Sequence, residues 1–208
     1  MRNRIAAVVV LISVIISSVL CCGCSRKGPV PYIDLDQPIY IGEYGGEKIE
    51  WIVLDVKDGK ALLLSKYVID ARPFNTRDRK ISWKLCSLRT WLNVDFYMDA
   101  FTTGEKSLIL KTDLPGEDDV TDRIFLLSEQ EMGQYFPYEG EERNAYPTRY
   151  AMDQGAEMYI DGTTEWWLRT TGYRENLSLV VSTFSNRDEN VKLDYYGVRP
   201  AMWISLED

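Results

Sequence analysis

The sequence predicts an α+β domain in which an antiparallel sheet, assembled from both ends of the domain, frames short helices in the middle of the chain. Three observations predict it. Two apolar runs flank Asp58-Gly59, a strong short hairpin signal. Two helix-start boxes, Thr102-Thr-Gly-Glu105 and Ser128-Glu-Gln-Glu131, follow in the middle. The last fifty residues are apolar runs separated by turn residues, without helical periodicity.

In chain order, Ile49 to Val56 and Lys60 to Ile69 form the hairpin. After Ser87, Leu88, Trp91, Leu92 and Phe96 recur at three- and four-residue steps, an amphipathic helix with Trp and Phe on its core face. The boxes at Thr102 and Ser128 each start a short helix, because the side chains satisfy backbone N–H groups that a first turn leaves unpaired. Between them Arg123-Ile-Phe-Leu-Leu127 is too short and apolar for a free helix and reads as a buried strand. Thr148 to Gln154, stopped by Gly155, is a further helix. Strands follow at Glu165 to Thr170, Leu177 to Phe184, Asn190 to Asp194 and Gly197 to Leu206.

The N-terminus carries an export signal. Arg2 and Arg4 precede an apolar stretch from Ile5 to Cys22, and Leu20-Cys21-Cys22-Gly23-Cys24 closes it like a lipoprotein box. The expected mature chain starts at Cys24, whose lipid anchors it to the outer face of a membrane. Cys21 stands where such boxes usually have Leu, and Cys22 as acceptor would leave Cys21 beside the cut, a poorer fit. An uncleaved anchor is the alternative, since the apolar stretch just reaches spanning length. The domain organisation is then a signal over 1–23, a lipidated cysteine and tether over 24–38 with Gly28, Pro29, Pro31 and Pro38, and one globular domain over 39–208.

Charge and residue usage exclude several function classes. The chain has 24 basic and 32 acidic residues, and losing 1–23 removes Arg2 and Arg4 and no acid, leaving a formal charge of −10. Such a surface repels nucleic acid and anionic headgroups unless it hides a local basic face. Histidine is absent, which removes His-based triads and the common zinc patterns. Cys86 is the only cysteine of the domain, so no intramolecular disulfide forms there; it reads as a small buried residue before a helix. The acidic stretch from Asp113 to Asp122 lacks EF-hand spacing and reads as a solvated loop between strands. No metal and no cofactor is expected.

A succession of motifs is more specific than any one of them: Ala71-Arg-Pro-Phe-Asn75, Ser87-Leu-Arg-Thr-Trp-Leu-Asn93, Phe125-Leu-Leu-Ser128, Pro147-Thr-Arg-Tyr-Ala151, Trp166-Trp-Leu-Arg-Thr170 and Gly197-Val-Arg-Pro-Ala-Met-Trp203. In this order they resemble a bacterial domain of unknown function found in surface proteins, over nearly all of 39–208. Through the closing motif that family is similar in turn to C-type-lectin-like folds, including the formylglycine-generating group. The resemblance implies no assigned reaction, and the paired copper-binding cysteines of that group are missing here. Thr170-Thr171 stands where the family usually has Ser-Pro, and the Asn186-Arg-Asp-Glu-Asn190 turn is more charged than the family's, so a ligand surface in those loops would differ.

Alternation along a strand puts Trp166 with Leu168 and Trp167 with Glu165 and Arg169. Trp166 is the core candidate. Trp167 either stacks on a sugar ring or lies under the Arg169 guanidinium, and packing is the preferred role. Trp167, Arg169, Tyr173 and Asn186 are the candidate ligand-binding residues; Arg89 and Arg199, with Arg199 and Trp203 on one face of the final strand, are expected to pair with carboxylates. The favoured function is a noncatalytic binding domain for a glycan, peptide or envelope protein. A structural or assembly lipoprotein and a carboxylate-dependent hydrolase are the alternatives.

Overall fold

Asp58 and Gly59 both take left-handed φ, 50° and 67°, the geometry of a hairpin turn whose twist matches its strands. The computed structural model describes residues 33–116, 119–136, 143–183 and 185–207. The export signal, Cys24 and most of the tether lie outside the described residues. Among the described residues no helix is long and apolar enough to cross a membrane.

Around that turn, β2 (Glu47–Lys57) pairs with β3 (Lys60–Ser65). An unforeseen strand, β1 (Ile39–Tyr44), adds to the outer side of β2, and the Trp51 indole donates to the Ile41 carbonyl at 2.8 Å. The last strand, β11 (Ala201–Ser205), closes this antiparallel sheet in the order β1-β2-β3-β11. Both ends of the domain therefore meet in one sheet, as expected.

The second sheet runs β4-β10-β7-β8-β9, comprising β4 (Asp70–Ala71), β7 (Trp166–Thr171), β8 (Leu177–Val181), β9 (Asn186–Asn190) and β10 (Gly197–Val198). All its pairings are antiparallel except β10 with β7. Gly197 sits between the neighbouring strands so closely that a Cβ would come within 2.6 Å of the Val68 side chain and 3.0 Å of the Glu165 carbonyl oxygen. Only glycine fits there without displacing backbone.

Three strand assignments need correction. Asn186 to Asn190 is an edge strand, not a turn, and its charges suit an edge that must refuse further pairing. The segment after Asn190 is irregular. The final run from Gly197 to Leu206 breaks at Arg199-Pro200, where the chain passes from one sheet to the other, so Arg199 and Trp203 do not share a strand. Arg123 to Leu127 is a buried connector pinned by one bridge, Phe125 with Ala201, and is not a strand of a sheet.

The helices are short. Ser87–Trp91 (α1), the π-turn Leu92–Phe96 and Tyr97–Ala100 (α2) run on without a break, burying Leu88, Leu92 and Phe96. Trp91 stays half-buried, with the Arg72 guanidinium 4.2 Å from its ring centroid. Cys86 caps α1 by accepting from the Arg89 N–H at 3.3 Å, and burial pushes its thiol up to about 12. Thr103–Leu108 (α3) and Glu129–Tyr135 (α4) begin with the reciprocal capping boxes read from the sequence. Arg149–Asp153 (α5) is capped by Thr148. Thr112–Leu114 (β5) and Val120–Asp122 (β6) form a separate hairpin around the acidic loop.

Among the described residues Arg199 pairs with no carboxylate. Its Nε donates to the Ser65 carbonyl at 2.9 Å and Nη2 to the Lys66 carbonyl at 3.4 Å, while the guanidinium lies 5.0 Å from the Trp166 ring centroid. Burial pushes its pKa down to about 9, which leaves it charged at neutral pH. It ties the β3 end to the crossing between sheets.

Candidate functional site

Strand β7 carries the site. Its first four residues, Trp166 to Arg169, are all buried, so both faces of this strand are covered and the expected alternation of core and solvent does not hold. Trp166 donates its indole N–H to the Arg143 carbonyl at 3.2 Å. Trp167, on the opposite face, is 0 % exposed, donates to the Arg72 carbonyl at 2.8 Å, and packs against Phe74 and Tyr196 with centroids 5.7 and 4.9 Å away. A sugar ring cannot stack on it. The packing role holds for both tryptophans.

Arg169 reaches out of the strand toward α4. Its Nη1 donates to the Leu126 carbonyl at 2.8 Å and to Glu131 Oε2, and Nη2 donates to Glu131 Oε1 at 3.0 Å. The same Glu131 carboxylate accepts from the Ser128 N–H at 2.8 Å, closing the capping box. One buried fork therefore fixes the start of α4, and the Thr170 hydroxyl reinforces it by accepting from the Glu129 N–H at 2.9 Å.

Above this fork lies a cleft of about 260 Å³. One wall is the β5–β6 hairpin with Leu114, Pro115, Gly116, Asp119 and Val120; the other is Ser128, Glu129 and Gln130 at the start of α4. Arg169, Thr170 and Thr171 form the floor, and Trp83 closes one side. Trp83 is held there because its indole donates to Asp122 Oδ2 at 2.9 Å, and Arg89 grips the same carboxylate with an Nη2–Oδ1 distance of 2.7 Å. The lining is mixed: hydroxyls, an amide and carboxylates beside Trp, Leu, Pro and Val. That mixture suits an amphipathic ring or a short peptide, with polar groups fixing orientation and apolar surface supplying affinity.

The candidates read from the sequence are dispersed by the fold. Arg169 lines the cleft, but with its guanidinium already committed to Glu131. Asn186 adjoins it, donating to Glu129 Oε1 at 3.4 Å and accepting from Arg143 Nη2 at 2.8 Å. Tyr173 is 74 % exposed just beyond the floor strand. Trp167 lies under the sheet. Trp83 escapes sequence reading, and the hairpin residues from Leu114 to Val120 read there only as a solvated loop, because the segments lie apart in the chain with no shared motif; the box at Ser128 and the Thr170-Thr171 pair are the lining residues that the sequence marks.

Two other polar clusters are structural. Asp70, fully buried, accepts from the Tyr44 hydroxyl, Arg72 Nε and Ala71 N–H, each at 2.7 Å, fastening β1 to β4. Burial, and then the Asp70 carboxylate, hold the Tyr44 phenol well above its usual range. Glu165 accepts from Arg187, which also contacts Glu189 at 3.2 Å. Among the described residues no group of three or more acidic or cysteine side chains is arranged to hold a metal ion.

Replacing Trp167 by Ala is expected to destabilise the domain by about 3–5 kcal/mol, through lost burial, a large cavity and an orphaned Arg72 carbonyl. Urea denaturation of the variant checks this; a change under about 1 kcal/mol would contradict the buried placement.

No curated protein and no solved structure matches the chain. A family model described as "Domain of unknown function (DUF6273)" matches residues 58–206, which take in every element from the β2–β3 turn to the last strand. The chain belongs to this DUF6273 family of domains of unknown function.

Proposed function

We propose that the protein is a membrane-anchored extracytoplasmic lipoprotein whose domain binds a glycan or peptide without transforming it, and that the cleft over Arg169 and Glu131 is its binding site. The observation that carries the reading is the fixed floor of that cleft. Arg169, Glu131 and Ser128 use their polar groups on one another, and the Thr170 hydroxyl accepts from the Glu129 N–H, so the floor and the α4 wall hold their shape before any ligand arrives. Preformed walls reduce the ordering cost of binding. The ionic groups of the floor are spent on structure, while Gln130, exposed at the start of α4, borders the space. A C-type-lectin-like relationship, implied by the Gly197-to-Trp203 motif, accords with a noncatalytic recognition domain.

The anchor belongs to the same reading and rests on the box ending at Cys24. A diacylated cysteine holds a domain at a membrane with each buried methylene contributing about 0.8 kcal/mol.

Two measurements test the proposal. A glycan and peptidoglycan-fragment array probed with residues 25–208 should return specific binders that are lost in Gln130→Trp, a substitution at an exposed helix position that fills the cleft. Binders unaffected by it would move the site elsewhere. In cells fed a labelled fatty acid, Cys24→Ser should abolish acyl labelling and leave an unprocessed precursor; normal labelling would refute Cys24 as the anchor.

A further inference from the structure

Two loops run on from lining residues of the cleft, Trp83 and Thr171, and are joined to each other. Trp83 ends the segment that begins at Asn75, and Thr171 begins the one that turns at Tyr173 and Arg174. They are fastened to each other: the Ile81 N–H donates to the Glu175 carbonyl at 3.0 Å, Asn176 Nδ2 donates to Asp78 Oδ1 at 2.8 Å, and Lys80 meets Glu175 at 2.8 Å. Arg77, Arg79, Lys80 and Arg174 are all exposed on this ridge.

The two acids of the ridge are already engaged, Asp78 by Asn176 and Glu175 by Lys80. Among the described residues no ion pair engages Arg77, Arg79 or Arg174. Arg174 lies over the exposed Tyr173 ring, 5.2 Å from its centroid. Three guanidiniums without a carboxylate partner among the described residues thus share the joined loops that continue from Trp83 and Thr171, in a chain whose formal charge is −8. This is the local basic face that the overall charge would otherwise exclude. A guanidinium fork matches the paired oxygens of phosphate and carboxylate, and an aromatic ring beside it accepts the apolar face of a sugar.

We infer that the ligand of the cleft is an anionic saccharide or polyol chain, with a neutral unit in the cleft and its phosphate or carboxylate groups on Arg77, Arg79 and Arg174. The inference rests on the cleft being the binding site. It adds the charge of the ligand and the direction in which it leaves the cleft.

The test uses the full chain in detergent micelles and three probes: an oligogalacturonate, a glycerol-phosphate oligomer and a neutral malto-oligosaccharide. The variants are Gln130→Trp and the triple change Arg77→Ser, Arg79→Ser, Arg174→Ser, with thermal melts confirming that each remains folded. At least one anionic probe should bind, more weakly at about 300 mM than at about 50 mM salt. The triple change should weaken that binding at least about tenfold, and Gln130→Trp should weaken it as well. The identity of the probe bound separates phosphate from carboxylate.

Equal binding of the neutral probe, unaffected by the triple change but lost in Gln130→Trp, would overturn the inference and leave the cleft as the site. Anionic binding unaffected by Gln130→Trp, or no binding of any probe, would overturn both.

Discussion

The domain depends on how β7 is held. Trp166 and Trp167 point to opposite faces of this strand, both rings are fully buried, and each spends its single polar group on a backbone carbonyl, of Arg143 and Arg72 respectively. A strand clamped from both sides cannot tilt or slip register without opening two cores at once. Arg169, two residues on from Trp167, inherits that rigidity and passes it through a two-armed carboxylate contact to the first turn of α4. Core and cleft are thus connected by one strand.

Buried charge elsewhere serves the same end of joining distant segments. Asp70 joins β1 to β4, Asp122 joins Trp83 to Arg89, and Arg199 joins β3 to the crossing between the sheets. A buried charge that loses its hydrogen-bond partners is costly, so each of these groups penalises any arrangement that separates them, Arg199 most of all, since its Nη1 already lacks a partner among the described residues. The consequence is specificity of topology in a domain with one cysteine and no disulfide. Arg77, Arg79 and Arg174 on the ridge are of another kind, exposed and, among the described residues, without carboxylate partners.

Local features were legible in the sequence and non-local ones were not. The Asp58-Gly59 turn, the two capping boxes and the stop at Gly155 are determined by neighbouring backbone, and the structure has them where the residues indicate. β1 was missed because its six residues follow a proline-rich tether and include a glycine. β9 was read as a turn because an edge strand carries the charges and amides that turns also favour. For Trp167 the alternation rule leaves sugar stacking open beside the preferred packing role, because it assumes that one side of the sheet meets water, whereas here both sides are packed. The cleft joins four segments of the chain, and of the four ligand-binding candidates read from the sequence only Arg169 lines it.

The claim that β7 transmits the order of the core to the cleft is tested most directly by amide hydrogen exchange on Arg169→Met. The account predicts faster exchange confined to Leu126 to Glu131 and the start of α4, with the amides of β2, β3 and β11 as protected as before. Unchanged protection at α4, or a uniform rise across both sheets, would contradict it.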